Sequence, residues 1–317
     1  MNHQIIDVAL AVIRDARGRY LVAQRPASAD YADYWEFPGG KREAGENRLQ
    51  VLQRECSEEL GITVQNARPL FRWSYQYSDR HVRLDAWLIY RYNGEAHGAE
   101  GQQVRWLHPA EFDDFRFLDA NKILMKVLAL PEHYAITPEF DGPETFYSGL
   151  DSLLAQNIKL LQFRAKGLSE VDYKSRALDL IQWCRNHDVT LMLNAASAWV
   201  NTLDAAGLHL TSQRLMALDQ RPIAKGRWLS ASCHSVEELR HAECIGVDFA
   251  LLSPVLPTQS HPHAPALGWQ ALEAWVSEVN IPVYALGGMT KVHLEQAYQV
   301  GCRGIAGISA FWRDTKS

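Results

Sequence analysis

The chain carries three carboxylates at a spacing that a helix brings together. Glu55, Glu58 and Glu59 stand at positions i, i+3 and i+4, so a helix places them on one side. An apolar stripe that includes Leu52 and Leu60 lies beside them and predicts that this helix packs on a core. Three like charges this close repel one another. The stretch therefore predicts either a metal site, whose oxygen ligands favour Mg²⁺ or Mn²⁺, or a solvated acidic face.

The residues around these acids favour the metal site. From Gly40 to Ile62 the chain fits the pattern G-x5-E-x7-R-E-U-x-E-E-x-G-U, where U is apolar, and Cys56 is the less usual apolar residue in it. This stretch resembles the Nudix box of the Nudix hydrolases. The resemblance implies Mg²⁺ as the cofactor, with Mn²⁺ as a substitute, and metal-assisted attack of water on a phosphorus atom of a nucleoside triphosphate.

Length and composition limit the other classes of protein. A chain of 317 residues favours two domains, which we place at residues 1–131 and 132–317. The net charge is −5 and no run of Lys or Arg occurs, so neither a polymeric nucleic acid nor a membrane surface is expected as a partner. Five scattered cysteines and the lack of a long apolar stretch predict a cytoplasmic protein. The oligomeric state is left open.

Outside the box, residues 4–130 resemble the MutT type of Nudix hydrolase. The likeness rests on WEFPGGK at 35–41, DRH at 79–81, GEAHGAEGQ at 94–102 and Asn121 within LDANK. Strands are predicted over 5–13, 20–23, 64–73, 81–92 and 104–107, the first two as a hairpin. Together with two helices, these strands predict an α+β Nudix fold.

The MutT resemblance implies a catalytic centre. The groups that would hold Mg²⁺ are the carbonyl of Gly39 and the carboxylates of Glu55, Glu58, Glu59 and Glu100. Glu55 is the leading candidate for the general base and Glu100 the second. A solvated loop acid is the alternative for Glu100. The implied reaction converts 8-oxo-dGTP into the monophosphate and pyrophosphate, which removes a mutagenic nucleotide from the pool used in DNA replication.

The same resemblance implies a nucleotide pocket. Asn121 would hydrogen-bond the oxidised guanine, because one amide offers both a donor and an acceptor. Phe37 would line the base pocket, and Arg25 and Arg80 would lie near the phosphates or the base. Gln24 stands where the MutT type usually has a second arginine, so one phosphate contact of that type is missing. A helix N-cap is the alternative use of Asn121.

The second half of the chain alternates short apolar strands with helical stretches. The predicted strands are 134–137, 159–163, 190–193, 207–210, 228–232, 249–252, 283–286 and 304–308. Eight strands that alternate with helices over about 185 residues predict an α/β fold, a (β/α)8 barrel of the TIM type.

This half resembles the thiamin-phosphate synthase and thiazole tautomerase superfamily. The likeness rests on QFRAK at 162–166, GLHL at 207–210, SCHS at 232–235, PVLPTQS at 254–260, LGG at 286–288 and GIAGIS at 304–309. It implies a phosphorylated small-molecule ligand at the open end of the barrel. The implied ligand-binding residues are Gln162, Arg164, Lys166, Asn194, Thr258, Ser260, Gly287, Gly288 and Ser309. Tight turns alone are the alternative role for the two glycines.

Departures from that superfamily change the expected activity. Ala195 and Arg214 stand where thiamin-phosphate synthases place the two acids that bind Mg²⁺, and His261 replaces an expected lysine. The histidine expected for thiazole tautomerisation is also absent from the step at Ser253 and Pro254. We therefore expect either a phosphate-ligand-binding barrel or a degenerate one, without synthase activity.

Three hypotheses follow for the whole chain. The first is an 8-oxo-dGTP diphosphatase with an accessory barrel. The second keeps the Nudix chemistry but takes a thiamin-related pyrophosphate as the substrate. The third makes the barrel a non-catalytic sensor whose phosphorylated ligand regulates the Nudix half.

Overall fold

The computed structural model describes residues 5–27, 30–139, 142–258 and 265–312. The chain divides into two compact units, Met1–Ala129 and Leu130–Ser317. In the described ranges, no helix is both long and apolar enough to cross a bilayer.

The first unit is a mixed α+β domain built on two small sheets. Its elements are β1 Ile5–Ile13, β2 Tyr20–Gln24, β3 Trp35–Glu36, β4 Gly39–Lys41, α1 Arg48–Leu60, β5 Thr63–Gln76, β6 His81–Asn93, β7 Val104–Leu107 and α2 Asp119–Ala129. One sheet has the order β4-β1-β6-β5 and the other β3-β2-β7. The central strand β1 runs parallel to β6 along its whole length. These elements confirm the predicted α+β Nudix fold.

Alternation along β1 gives this unit two cores. Leu10 and Val12 belong to a cluster that contains α2, whereas Ala11 and Ile13 belong to a cluster that contains α1. Successive side chains of a strand point to opposite faces of its sheet. The two helices therefore pack on opposite faces of the β1 sheet, and α1 holds its acidic side away from the core it covers.

The predicted hairpin of the first two strands is wrong as a pairing of the strands, although its turn is present. β2 pairs with β3 and β7 in the second sheet. At the turn, Arg14 forms an isolated antiparallel bridge with Tyr20, and the Asp15 N–H donates to the Arg19 carbonyl at 2.9 Å. The edges of β1 are already occupied by β4 and β6, so β2 has no free edge of that strand to pair with.

The second unit is a closed barrel of eight parallel strands, as predicted. Its elements are β8 His133–Ile136, α3 Pro143–Ala155, β9 Leu160–Phe163, α4 Glu170–Asn186, β10 Thr190–Leu193, α5 Ser197–Thr202, β11 Gly207–Leu210, α6 Ser212–Met216, β12 Trp228–Cys233, α7 Val236–Cys244, β13 Phe249–Leu252, α8 Gly268–Val276, β14 Val283–Ala285, α9 Leu294–Gln299 and β15 Gly304–Gly307. Large side chains such as Tyr134, Met192, Phe249 and Tyr284 fill its interior. The barrel is therefore a packed core, and ligands can enter only where the strands end.

Candidate functional sites

Helix α1, which carries the three acids, is capped at both ends. Asn47 caps the start by accepting hydrogen bonds from the backbone of Leu49 and Gln50, and the Gln50 side chain accepts one from the Asn47 backbone. This reciprocal capping box satisfies donors that the first turn leaves free. Gly61 ends the helix in the left-handed conformation, with φ of 66°. The acids lie between these two fixed points.

Arg54 organises the carboxylates of the predicted metal site. Its Nε donates to Glu46 Oε1 at 2.7 Å, and its Nη1 donates to Glu55 Oε1 at 2.7 Å and to Glu58 Oε2 at 3.2 Å. A further bond, from Nη2 to the Lys41 carbonyl at 3.0 Å, ties the helix to the loop before it. The Arg54 guanidinium also lowers the pKa of Glu46 to about 2. This network explains why the pattern needs an arginine and an earlier glutamate as well as the three acids.

Close approaches require glycine at two positions of strand β4. A Cβ on Gly40 would lie 2.1 Å from Oε1 of Glu55, so any side chain there would displace that carboxylate. Gly39 has φ of 146°, and a Cβ on it would lie 2.0 Å from the Ala9 carbonyl oxygen. Its backbone N–H donates to Glu59 Oε2 at 3.0 Å. The backbone of β4 therefore borders the carboxylates directly, as a carbonyl ligand at Gly39 would require.

Glu100 lies on a loop that is anchored to the end of α1. The backbone N–H of Ala99 donates to the Glu59 carbonyl at 2.9 Å, and the Gln102 side chain donates to the same oxygen at 2.8 Å. These bonds place Glu100 close enough to Glu59 for its charge to raise the pKa of the Glu59 carboxyl. Glu100 itself is exposed.

The acids form a negative cluster in a partly desolvated place. Burial raises the pKa of Glu59 to about 8, and the charges of Glu55, Glu36 and Glu100 add to the rise. Burial also raises the pKa of Glu55, against the nearby Arg54. A divalent cation would remove this repulsion, and carboxylate oxygens are the donors that Mg²⁺ and Mn²⁺ prefer. The donor chemistry therefore fits the implied metal.

The side chains do not form a finished coordination shell. Within the described ranges, no group of three or more His, Cys, Asp and Glu side chains is arranged to hold a metal ion. Glu55 is directed to Arg54, and Glu59 accepts the Gly39 N–H. Each of these bonds uses one oxygen of its carboxylate. No described arrangement gathers the remaining oxygens around one point, so the metal site stays a prediction.

Asn121 lies where a ligand could use its amide. It is inside α2, which begins at Asp119, so its alternative role as the helix N-cap is wrong. The side chain is 2% exposed, and Oδ1 has no hydrogen-bond partner among the residues that the structure describes. An unpaired buried carbonyl costs roughly 1–3 kcal/mol, which a bound ligand with a donor would recover. Phe37 is fully buried against Phe112 and Phe117, in the cluster that also includes Ala120 and Leu124 of α2.

The two predicted nucleotide-binding arginines have protein partners in this structure. Arg25 binds both carboxylate oxygens of Glu36 at 2.8 Å and the Asp30 carbonyl at 2.8 Å. Arg80 lies over the ring of Tyr77, with its guanidinium carbon 5.4 Å from the ring centre, and 3.5 Å from Asp30. Their predicted contacts to phosphate or base would require one or more of these bonds to open.

The barrel has a cavity of about 870 Å³ where its strands end. Every described residue of the predicted barrel site lines it: Gln162, Arg164, Lys166, Asn194, Thr258, Gly287, Gly288 and Ser309. Ser260 and His261 lie outside the described residues. Among the described lining residues there is no Asp or Glu, so the cavity wall carries positive charge only.

Arg214, which stands where the superfamily has an acid, adds a third cation behind this wall. Its guanidinium donates to Asn194 Oδ1 at 3.4 Å and to the Ala195 carbonyl. No carboxylate pairs with Arg164, Lys166 or Arg214 among the residues the structure describes. Burial and the nearby positive charges of Arg214 and Arg164 lower the pKa of His209 to about 3. This end of the barrel is therefore a positive site.

The glycines at the end of β14 have a packing role. Gly287 has φ of 93°, and a Cβ on it would lie 2.8 Å from Cα of Pro254. A Cβ on Gly288, whose φ is 67°, would lie 2.7 Å from the Pro257 carbonyl oxygen. These contacts account for both residues without a ligand, although their backbone still lines the cavity.

Two family models match the chain and together cover both units. A model described as "NUDIX domain" matches residues 9–127, and one described as "Thiamine monophosphate synthase" matches residues 133–311. The fold defines an α+β domain with a capped acidic helix, followed by a (β/α)8 barrel. More particularly, the chain belongs to the Nudix family through its first unit and to the thiamine monophosphate synthase family through its second.

Individual relatives agree with this division. The first unit is 36% identical over 133 residues to the 8-oxo-dGTP diphosphatase of Haemophilus influenzae, across 42% of this chain and 98% of that protein. It is also 38% identical over 108 residues to the CTP pyrophosphohydrolase of Escherichia coli, across 34% of this chain and 79% of that protein. The second unit is 33% identical over 184 residues to the putative thiamine-phosphate synthase 2 of Aquifex aeolicus, across 58% of this chain and 99% of that protein.

Proposed function

We propose that the first unit hydrolyses 8-oxo-dGTP and related oxidised purine nucleoside triphosphates to the monophosphate and pyrophosphate. The observation that carries this proposal is the buried, unpaired Oδ1 of Asn121, in a domain that also carries the family-typical acidic helix. Oxidation at C8 gives guanine a new N–H donor, and a carbonyl oxygen is the group that would accept it. Similarity to the Haemophilus influenzae enzyme supports the same substrate.

Mg²⁺ would be held by the carboxylates of Glu55, Glu58, Glu59 and Glu100 and by the Gly39 carbonyl, with Mn²⁺ as a substitute. When bound, it would neutralise phosphate oxygens and acidify the attacking water. Glu55 accepts the proton of that water, because burial and the neighbouring acids already raise the pKa of its carboxyl. Arg54 keeps Glu55 and Glu58 on the same side of α1.

The deciding experiment compares kcat/KM for 8-oxo-dGTP and dGTP with the full chain, in Mg²⁺ and in EDTA. We expect a preference of a hundredfold or more for the oxidised nucleotide, equal to about 2.7 kcal/mol, and no turnover in EDTA. CTP and a thiamin-related pyrophosphate serve as competing substrates. A higher kcat/KM for either competitor, or equal values for the two purines, would contradict the proposal.

For the second unit, we propose an accessory role in which it binds a phosphorylated small molecule without a metal ion. The cavity offers Arg164 and Lys166, with Arg214 behind Asn194, and its described lining has no carboxylate that could hold Mg²⁺. Guanidinium groups bind phosphate directly through paired N–H donors. Such a ligand could also make the barrel a sensor for the Nudix half, as in the third hypothesis.

Ligand-induced stabilisation tests the barrel proposal. We expect a phosphomonoester such as thiamin phosphate, at a hundred times its Kd in EDTA, to add about 2.7 kcal/mol to the stability of the barrel. That corresponds to a rise in its Tm of roughly 5–10 °C. Arg164→Gln and Arg214→Gln should each remove most of the shift, whereas Lys225→Gln, at an exposed lysine, should not. A shift that requires Mg²⁺, or that survives both arginine variants, would contradict metal-free binding.

A further inference from the structure

A second pocket lies on the α1 side of the β1 sheet. Its volume is about 180 Å³, and its charged lining consists of Arg42, Arg48, Arg72, Arg83, Asp7 and Asp85. We call these six residues the arginine pocket. Asp7 and Asp85 come from β1 and β6, Arg72 from β5, and Arg48 from the first turn of α1. Nothing in the proposed hydrolysis uses any of them.

The pocket lies on the opposite face of the β1 sheet from the predicted base-binding residue Asn121. The lining residue Ala9 shares a face of β1 with Ala11, which packs in the cluster of α1. Asn121 belongs to α2, which packs with Leu10 on the opposite face. The sheet itself therefore lies between the arginine pocket and Asn121.

The charges of the arginine pocket do not balance. Arg42 Nη2 lies 2.8 Å from one oxygen of Asp7, and Arg83 Nη2 lies 2.7 Å from the other. Arg48 binds both oxygens of Asp85. Four guanidiniums thus share two carboxylates, which leaves an excess of two positive charges around one small pocket.

Arg72 is the arginine with the weakest partner. Its Nε lies 3.7 Å from Oδ1 of Asp85, which already pairs with Arg48. Burial and the neighbouring Arg48 and Arg83 lower the pKa of Arg72, although Asp85 opposes the shift. The guanidinium of Arg72 therefore stands among like charges that the two aspartates do not neutralise.

Contacts with a buried tryptophan hold two charged side chains of the pocket in place. Asp85 is 8% exposed and also accepts a hydrogen bond at 3.0 Å from Nε1 of Trp87. The guanidinium carbon of Arg48 lies 5.0 Å from the ring centre of the same tryptophan. Arg48 and Asp85 are thereby held in place, so the excess charge is presented by a formed site and not by mobile surface side chains alone.

We propose that the arginine pocket binds a small phosphate-type anion, either inorganic phosphate or inorganic pyrophosphate. The two excess positive charges match the charge of the phosphate dianion and also attract pyrophosphate, and guanidinium donors suit the oxygens of both. A cavity of 180 Å³ is below the size of a pocket for a drug-sized organic molecule, so a complete nucleotide does not fit. Arg42 and Arg48 flank the loop that leads into the acidic helix, so the anion would brace that loop.

The test titrates the full chain with inorganic phosphate and, separately, with inorganic pyrophosphate by calorimetry in EDTA. The background is the Arg164→Gln, Arg214→Gln double variant, so that the barrel cations contribute little; the wild-type background serves if that variant is unstable. We expect Arg72→Gln and Arg83→Gln each to weaken binding at least tenfold. Arg91→Gln removes an exposed arginine from the same strand as Arg83 and is the matched control.

The two anions distinguish the form of the ligand. Tighter binding of pyrophosphate assigns a two-phosphate ligand, and equal or tighter binding of phosphate assigns a single phosphate group; both results support the pocket. Failure of both anions to bind, or equal affinities in the Arg72, Arg83 and Arg91 variants, would overturn the proposal.

Discussion

Replacement of Glu55 by Gln is expected to lower kcat for nucleotide hydrolysis by a factor of about 10²–10⁴, the usual contribution of a general base. Glutamine keeps the shape of the side chain but can neither accept the proton of the attacking water nor hold a cation as a carboxylate does. The Glu55 carboxylate is only 12% exposed and pairs with Arg54, so the substitution also removes one repulsive charge from the acidic cluster. We therefore expect a Tm close to that of the wild type.

Glu43→Gln provides the matched control for this experiment. Glu43 is an exposed acid in the loop before α1, and its side chain lies outside the Arg54 network. Its loss should change kcat less than twofold under the same conditions. Normal turnover by Glu55→Gln, or a large loss of stability in that variant, would show that Glu55 is not the base. Strong loss in Glu100→Gln alone would assign the role to Glu100.

The acidic helix could be predicted because its signal is local. The spacing of Glu55, Glu58 and Glu59 depends only on the helical repeat, and Gly61 marks the end of the helix within the same stretch. The pairing of Arg54 with Glu46 is also local, although the pattern by itself did not explain it. The position of Glu100 depends on a loop that returns to the end of α1, and only the resemblance to known proteins indicated it.

The barrel could be predicted because its strands are short, apolar and regularly spaced. A strand that is buried on both faces gives a continuous apolar run, such as Phe249–Leu252, with no polar residues in alternate positions. Such runs are easy to recognise in the sequence. The pairing of β2 could not be predicted in the same way. The turn between β1 and β2 suggests a hairpin. In the folded domain, however, β4 and β6 occupy both edges of β1, so β2 pairs with other strands.

Charge clusters assembled from distant strands were missed. The arginine pocket collects Asp7, Arg42, Arg72 and Asp85 from separate elements, and no stretch of the chain holds enough of them to form a pattern. One local signal is present: Arg83 and Asp85 are two residues apart on β6, so both side chains lie on one face of the sheet. Arg214 was noticed as a missing acid, but its contact with Asn194 needed the structure.

Replacement of Asn121 by Ala is expected to reduce the preference for 8-oxo-dGTP over dGTP by about 10- to 100-fold. A site that hydrogen-bonds its substrate discriminates by roughly 1–3 kcal/mol for each buried polar group left unpaired. Oδ1 of Asn121 is buried and unpaired among the described residues of the free protein. The free-energy cost of removing this atom from water is therefore already present before the ligand binds, and a hydrogen bond from the ligand offsets it. The measurement is kcat/KM for both nucleotides.

Stability separates this role of Asn121 from a structural one. A structural asparagine makes hydrogen bonds whose loss lowers the free energy of unfolding, but Oδ1 of Asn121 makes none in the structure. We therefore expect Asn121→Ala to change Tm little or to raise it, while Asn66→Ala, at an exposed asparagine, changes neither Tm nor the substrate preference. An unaltered preference in Asn121→Ala would show that Asn121 is not the residue that selects the oxidised base.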